Sequence, residues 1–397
     1  MDRHDSRTSD GSTSAGERGV AIEREGRVWR FDAAGRLNTV FDGDRVLRRG
    51  LDGTVVEKWW GEPRVGRFRP RRSRVLDEDE ARERVEAASE TVREHLSNRG
   101  SNEGGLADEA RESVRRVLET TPADLAGDAE RFRSIYAPVG ILPPDSYRAV
   151  VCQLTTGCPY DCSFCTLYAE DGGARSPETF DEHVRAVASA FGRGLQSRRG
   201  VFLGEANPLA ADENALVRAL ESIERHLPER HAEGVFAFGN AHTVARTPVA
   251  TLESLADRGL ERVYLGVESG DPDVLSLLRK PQTRDDVREA VDRLTAAGTG
   301  VGAMLMAGVG GETLAGDHVR RTVDLVTDLS LGADDVVYLS PLVDTLGTAY
   351  SADARERGIE PMCERAVLEQ LGTLYDRLAE TIDARVSTYQ AADFVYF

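Results

Sequence analysis

The chain has 397 residues, an apolar fraction of 40 % and a formal net charge of −18, so it is long enough to bury a large core in more than one structural unit. No apolar run approaches the ~20 residues of a membrane helix, and the opening MDRHDSRTSDGSTSAGERG lacks the apolar core of a secretory signal. The expectation is a cytoplasmic chain with no membrane association. Lys58 and Lys280 are the only lysines, and an acid-rich, lysine-poor balance suits a halophilic protein, or coding DNA rich in G and C.

In chain order, residues 1–18 read as a disordered tail. Residues 19–75 form a small β-rich unit: short β-like runs are broken by Glu25-Gly26, Asp42-Gly43 and Asp52-Gly53, which predicts a meander of hairpins. The unit ends in a basic linker with Arg64, Arg67, Arg69, Arg71, Arg72 and Arg74. Residues 76–145 read as a helical connector. Leu76, Ala81, Val85, Ala88, Val92 and Leu96 mostly step by three or four, as on an amphipathic helix. A Gly/Ser/Asn break at Arg99–Gly105 precedes a second helix with Ala110, Val114, Val117 and Leu118 on one face.

From residue 146 the pattern changes. Apolar runs RAVVCQLT, GVFLGE, GVFAFGN, RVYLGVES, VGAMLMAGV and DVVYLSPL alternate with helical stretches, the pattern of a parallel sheet covered by helices. The fold class is α/β. Six such units over 146–345 predict a partial (β/α)6 barrel of TIM type, carrying the N-terminal β-meander and helical extension. Residues 346–397 are expected to form a C-terminal helical extension, helical over Glu364–Ala384, with an aromatic tail (Phe394, Tyr396, Phe397) packed over the barrel or its open edge.

Five cysteines are present, and three of them, Cys158, Cys162 and Cys165, fall within eight positions as C-x3-C-x2-C directly after the first strand of the α/β region. An odd count with one tight cluster argues against a disulfide framework and for metal. Three thiolates from one loop can bind three irons of a cubane and leave the fourth open to an exogenous chelate, whereas electron-transfer clusters close all four positions with Cys. Placement at a strand's C-terminal end is where barrels of this type carry their chemistry. The competing arrangement is a zinc site completed by Cys152, Cys363 or a His, but zinc knots come as two separated C-x2-C pairs and no second pair exists. Too few thiolates remain for a second cluster.

With this spacing and Phe164 just before the last Cys, residues 147–342 resemble the radical S-adenosylmethionine (SAM) superfamily, closest in style to its Elongator-like and coproporphyrinogen-dehydrogenase-like branch. The resemblance implies one 4Fe–4S cluster on Cys158, Cys162 and Cys165, with SAM beside it. It places Phe164 near the adenine. Leu203-Gly204-Glu205 stands where the family has Gly-Gly-Glu, so Gly204 and Glu205 are implied at the cofactor's amino group. In Gly266-Val267-Glu268-Ser269-Gly270, Glu268 and Ser269 are implied at the ribose hydroxyls. Gly308-Val309-Gly310-Gly311-Glu312 resembles a Gly-rich turn, with Gly308 and Gly310 approaching the adenine, and Asn240 ends a strand on the same rim. The implied chemistry is one-electron reduction of the sulfonium, giving methionine and a 5′-deoxyadenosyl radical that abstracts hydrogen from a substrate left unassigned, as are the catalytic residues toward it. A one-electron donor such as ferredoxin or flavodoxin is the implied partner. The alternative function is an iron–sulfur or zinc protein for binding or electron transfer without SAM chemistry. The run Arg64–Arg74 with Phe68 suits RNA or an anionic small molecule. The competing reading, an exposed linker neutralised by the following DEDEARE, is favoured because charge runs are commonly solvated.

Overall fold

The computed structural model describes residues 12–62, 64–98, 108–166, 173–342, 348–390, 392 and 394–397. Two sheets organise these residues. The first is an antiparallel meander whose seven strands are neighbours in chain order: β1 (Ser12–Gly16), β2 (Gly19–Arg24), β3 (Arg27–Phe31), β4 (Leu37–Asp42), β5 (Arg45–Arg49), β6 (Val55–Trp60) and β7 (Arg71–Val75). At the β2–β3 hairpin Glu25 and Gly26 both take positive φ (52° and 77°), the geometry that matches strand twist in a two-residue turn.

One face of the meander is apolar (Val20, Ile22, Trp29, Phe31, Leu37, Val55) and is covered by α1 (Glu78–Asn98), α2 (Asp108–Glu119) and α3 (Pro122–Ile135). Val85, Val92, Val114, Val117 and Leu125 supply the helical side of this core, the stripe expected from their spacing. The break at Arg99–Gly105 and residues 1–11 of the expected tail lie outside the described residues. Ser12–Gly16 corrects that tail: it is a strand, paired with β2 from Ser12↔Glu23 to Gly16↔Gly19.

The basic stretch is also corrected. Its second half is β7, with Arg74 opposite Glu57 in register, rather than a linker. Most of its charge is met by carboxylates from elsewhere in the fold. Arg74 binds Glu57 (2.9 Å) and Glu80 (2.7 Å), Arg67 binds Asp376 (2.7 Å), and Arg72 grips Glu364 with both terminal nitrogens. Of these partners only Glu80 belongs to the acidic stretch that follows the run.

The second sheet is parallel, in the order β14-β13-β12-β11-β10-β9-β8: β8 (Val150–Gln153), β9 (Val201–Gly204), β10 (Val235–Gly239), β11 (Leu260–Glu268), β12 (Gly300–Ala307), β13 (Val336–Pro341) and β14 (Arg385–Thr388). It stays open, since β8 and β14 are its two ends. The helices between these strands are α4 (Pro177–Phe191), α5 (Glu213–His226), α6 (Pro228–His231), α7 (Ala241–Val244), α8 (Val249–Ala256), α9 (Pro272–Leu277), α10 (Arg284–Ala296), α11 (Gly311–Thr327), α12 (Ala349–Glu356) and α13 (Glu364–Thr381). Six strands match the apolar runs of the sequence. The seventh, β14, adds a strand to the six expected: after α13 the chain pairs Arg385–Thr388 with Val336–Leu339.

Strand β8 is an edge, and its outward backbone groups are all met by side chains. Tyr396 Oη donates to Ala149 O (2.8 Å) and accepts from Val151 N–H (2.9 Å), while Tyr136 Oη donates to Val151 O (2.7 Å). Gln153 N–H donates to His183 Nε2 (3.0 Å), and Arg175 Nε donates to Gln153 O (2.8 Å). Tyr396 also accepts from Leu51 N–H through its backbone carbonyl (2.7 Å), so the aromatic tail ties meander to parallel sheet. A buried Arg36–Asp32 pair (2.8 Å), with Arg36 donating to Phe191 O (3.2 Å), makes a second tie. Among the described residues no helix is long and apolar enough to cross a membrane.

Candidate cluster and cofactor site

The C-terminal ends of the parallel strands surround a cavity of about 520 Å³. Cys158, Cys162 and Cys165 all line it, from the loop after β8, and none is in a disulfide. The loop is held at its buried Ser163. Ser163 donates its N–H to Leu278 O (3.1 Å) and its hydroxyl to Leu277 O (2.8 Å), and its carbonyl accepts from Tyr350 N–H (2.8 Å). Arg279 adds an exposed clamp, binding Asp161 (2.8 Å) on the loop and Asp353 (2.7 Å) on α12. The loop's backbone is therefore fixed to α9 and α12 while its cysteines face the cavity.

Burial pushes the Cys162 thiol up to about 11, with Lys280 pulling it down and Glu268, Cys165 and Cys158 adding to the rise. A bare thiol there stays neutral; iron, a strong Lewis acid, is what would hold it as thiolate. Three soft sulfur donors on one short, pinned loop beside a cavity of this size fit an iron–sulfur cluster with one iron left to another ligand. Among the described residues no group of three His, Cys, Asp or Glu side chains is disposed to close on a single metal ion. Cys152, weighed as a fourth ligand, is buried in β8 and its thiol is pushed far up by desolvation; Cys363 is exposed at the start of α13.

The remaining expected residues divide. Phe164, Asn240 and Glu268 line the cavity with the cysteines. Asn240 sits at the end of β10, where its Oδ1 accepts from His242 N–H (2.9 Å) and its N–H donates to Asn207 Oδ1 (3.2 Å). Glu268 ends β11 with φ 59°, a left-handed conformation costly for a side-chain-bearing residue, so surrounding contacts must hold it there. Gly204, Glu205, Ser269, Gly308 and Gly310 are not on the cavity wall. Glu205 turns its carboxylate onto Gln153 Nε2 (2.6 Å). Burial pushes it up to about 7, against the pull of Gln153 and of the Gly140 N–H. Ser269 bonds His318 Nδ1 (2.8 Å) in a fully buried pocket. Gly308 gives its N–H to Gln370 Oε1 (2.7 Å), and Gly310 caps α11.

Lys280 was not singled out by the motifs. It is buried, with Nζ 3.4 Å from Glu268 Oε1, and both line the cavity. Burial works to lower the ammonium, yet Glu268, Cys162 and Cys158 carry it above its ordinary value, so it stays a cation facing the cysteines. Gly266 makes room for the pair, since a Cβ there would lie 2.6 Å from Glu268 Oε1 and 3.0 Å from Lys280 Nζ. The signal was present: Lys280 is one of only two lysines in the chain. Tyr160 and Asn207, also on the wall, both bond Thr243 Oγ1 (3.0 and 3.2 Å) and fix the rim between β9 and β10.

Residues 152–326 match the model of the Radical SAM superfamily, and this span of the chain is a radical SAM domain. An uncharacterized methyltransferase of Synechocystis sp. is 29 % identical over 187 residues, covering 46 % of this chain and 33 % of the relative. The ribosomal protein uS12 methylthiotransferase RimO of Thermus thermophilus is 32 % identical over 180 residues, covering 42 % and 39 %. The chain thus spans about a third of the length of these curated relatives. Among solved structures, the coproporphyrinogen III oxidase HemN of Escherichia coli superposes with a TM-score of 0.45 at 13 % identity, covering 64 % of this chain and 56 % of that one.

Proposed function

We propose that this radical SAM domain is an enzyme's catalytic unit, holding one 4Fe–4S cluster on Cys158, Cys162 and Cys165 with SAM bound in the cavity beside it. The observation that carries the reading is the convergence of three cysteines from one pinned loop with the buried Glu268–Lys280 pair on a single cavity at the strand ends. When bound, the cluster and cofactor supply an electron transfer to the sulfonium and a 5′-deoxyadenosyl radical for hydrogen abstraction.

The chain's own residues then have separable tasks. Ser163 and Arg279 hold the cysteine loop rigid, so the sulfurs do not move when charge changes. Lys280 offsets the negative charge that three thiolates bring into a buried site, and it can pair with a cofactor carboxylate. Glu268 and Asn240 present acceptors and donors on the rim, where ribose hydroxyls and the cofactor's amino group find partners, and Phe164 offers an aromatic face to the adenine. Glu205, Gly204, Ser269, Gly308 and Gly310 act behind this wall, shaping the strand ends. Residues 146–345 serve as the catalytic unit, with 19–75 and 76–145 as an appended unit and connector. A one-electron donor of the ferredoxin or flavodoxin class serves as reductant, and the acid-rich, lysine-poor composition suits a cytoplasm of high salt.

Anaerobic reconstitution tests the reading: about four irons per chain are expected. With dithionite and SAM the protein should release 5′-deoxyadenosine. Cys162→Ala should lower the iron content and slow release of the product at least ~100-fold relative to the parent. Iron uptake without any cofactor cleavage would instead assign the site to a cluster carrier and overturn the proposal.

A further inference from the structure

Three cavities of this molecule are neighbours that share lining residues. The cysteine-lined cavity shares Pro341, Leu342, Tyr389 and Ala392 with a groove of about 770 Å³ between residues 67–73 and helix α13. That groove shares Trp60, Arg71 and Gln390 with a third cavity of about 210 Å³, bounded by β5, β6 and the aromatic tail. A row of shared lining residues therefore runs from the expected radical site, by way of the groove, to this chamber.

Charge along the path is uneven. In the groove the arginines are matched, Arg67 by Asp376 and Arg72 by Glu364. In the chamber they are not. Arg48 lies 4.3 Å over the Phe397 ring and Arg71 lies 4.7 Å over Trp60, and among the described residues neither has a carboxylate partner. Asp44, on the same wall, forms no ion pair with either. Burial depresses both guanidiniums, Tyr147 on the same wall opposes that at each, and the charges of Arg71 and Arg30 depress Arg48 further. Two neighbouring cations, Arg48 half-buried and Arg71 exposed, each stacked on an aromatic ring and without a carboxylate, leave positive charge unmatched in a chain of net charge −18, which has acidic side chains to spare. Trp60 is also 44 % exposed, one of two large apolar side chains this open among the described residues. An oxyanion between the guanidiniums would relieve the repulsion, and a planar or apolar body would cover the tryptophan.

We propose that this chamber anchors the distal end of the substrate: Arg48 and Arg71 take a phosphate or carboxylate group of an elongated small molecule whose body lies along Trp60 and Tyr389. Its reacting end reaches the cysteine-lined cavity. The role as substrate anchor rests on that cavity being the radical site. A nucleic acid is the less fitting occupant, because the matched pairs along the groove leave few cations for a polyanion and the protein's overall charge repels one.

Isothermal titration calorimetry on the reconstituted full chain at fixed ionic strength tests this, with phenyl phosphate, benzoate and a single-stranded 12-mer oligoribonucleotide as probes. One of the two aromatic anions should bind at a single saturable site, and the tighter of them identifies the oxyanion. Arg48→Gln and Arg71→Gln should each weaken that affinity at least ~10-fold, and Arg71→Lys should retain most of it, with far-ultraviolet circular dichroism unchanged in all three. No saturable binding of either anion, or equal affinity in both Gln variants, overturns the proposal. So does an oligoribonucleotide that binds more tightly than both anions with the same sensitivity to the substitutions. The titration needs neither reductant nor SAM, so its failure and a failure of cofactor cleavage are told apart.

Discussion

The meander and the parallel sheet have seven strands each among the described residues, yet they bury them in different ways. Strands β8 and β9 are buried at every position and β12 at all but its first, because helices or chain cover both faces. In the meander, β2 and β3 alternate, with one face on α1–α3 and the other toward solvent. A sheet covered on both faces can leave its strand ends as the place where polar groups gather, and the cysteines, Asn240 and Glu268 all stand there. A sheet covered on one face keeps a polar surface free for other contacts, and this one uses it to dock on α13 and the aromatic tail.

The contrast can be tested by truncating one leucine in each sheet. Leu265 in β11 is fully buried, whereas Leu47 in β5 is only partly so. Leu265→Ala should cost about 2–5 kcal/mol and Leu47→Ala about 1 kcal/mol in urea unfolding. Equal losses would erase the distinction between a two-sided and a one-sided sheet.

Acid should sharpen the same contrast, since the parallel region holds two histidines neutral. Burial lowers His183 and His318 from 6.5 to about 4. Between those values the unfolded imidazoles take up protons that the folded ones refuse, so stability is lost as pH falls from 6.5 to 4. Glu205 works in the opposite sense. Its folded pKa of about 7 lies above the ordinary 4.5, so its contribution is full below 4.5 and is lost as pH rises through 7. Thermal melts should therefore show a net acid loss on the order of 1–3 kcal/mol, steeper in Glu205→Gln. A variant with a flatter profile than the parent would refute this assignment.

The smallest effect is expected where the two regions meet. Arg72 and Glu364 are each close to half exposed, so Glu364→Ala should cost only about 0.2–1 kcal/mol, less at high salt. A larger, salt-independent loss would mean that this pair, rather than Tyr396 and Arg36, holds the regions together.

What could be read from the sequence follows from these same burial patterns. Six parallel strands were legible because two-sided burial writes unbroken apolar runs such as VGAMLMAGV. β14 was not, because RVST is short, half-polar and pairs on one side only. β7 was hidden because Arg72 and Arg74 have partners distant in sequence: Glu364 and Glu57 are invisible to a local reading of charge. At the site, the cysteine spacing carried the loop, but the direction of a single side chain is decided by its tertiary partners. Glu205 faces Gln153 and Gly140 rather than the cavity, and Lys280 reaches Glu268 across a space that only Gly266 leaves open.

The side-chain cover on β8 has a consequence for life in a crowded solution. An open parallel sheet ends in a row of donors and acceptors that could recruit a strand from a second molecule, the first step toward self-association. Here the phenols of Tyr396 and Tyr136, the His183 imidazole and the Arg175 guanidinium occupy that row in place of a backbone. The molecule thus ends its sheet at β8 without closing the barrel, and this edge, its backbone groups already met, is unavailable as a template for polymerisation.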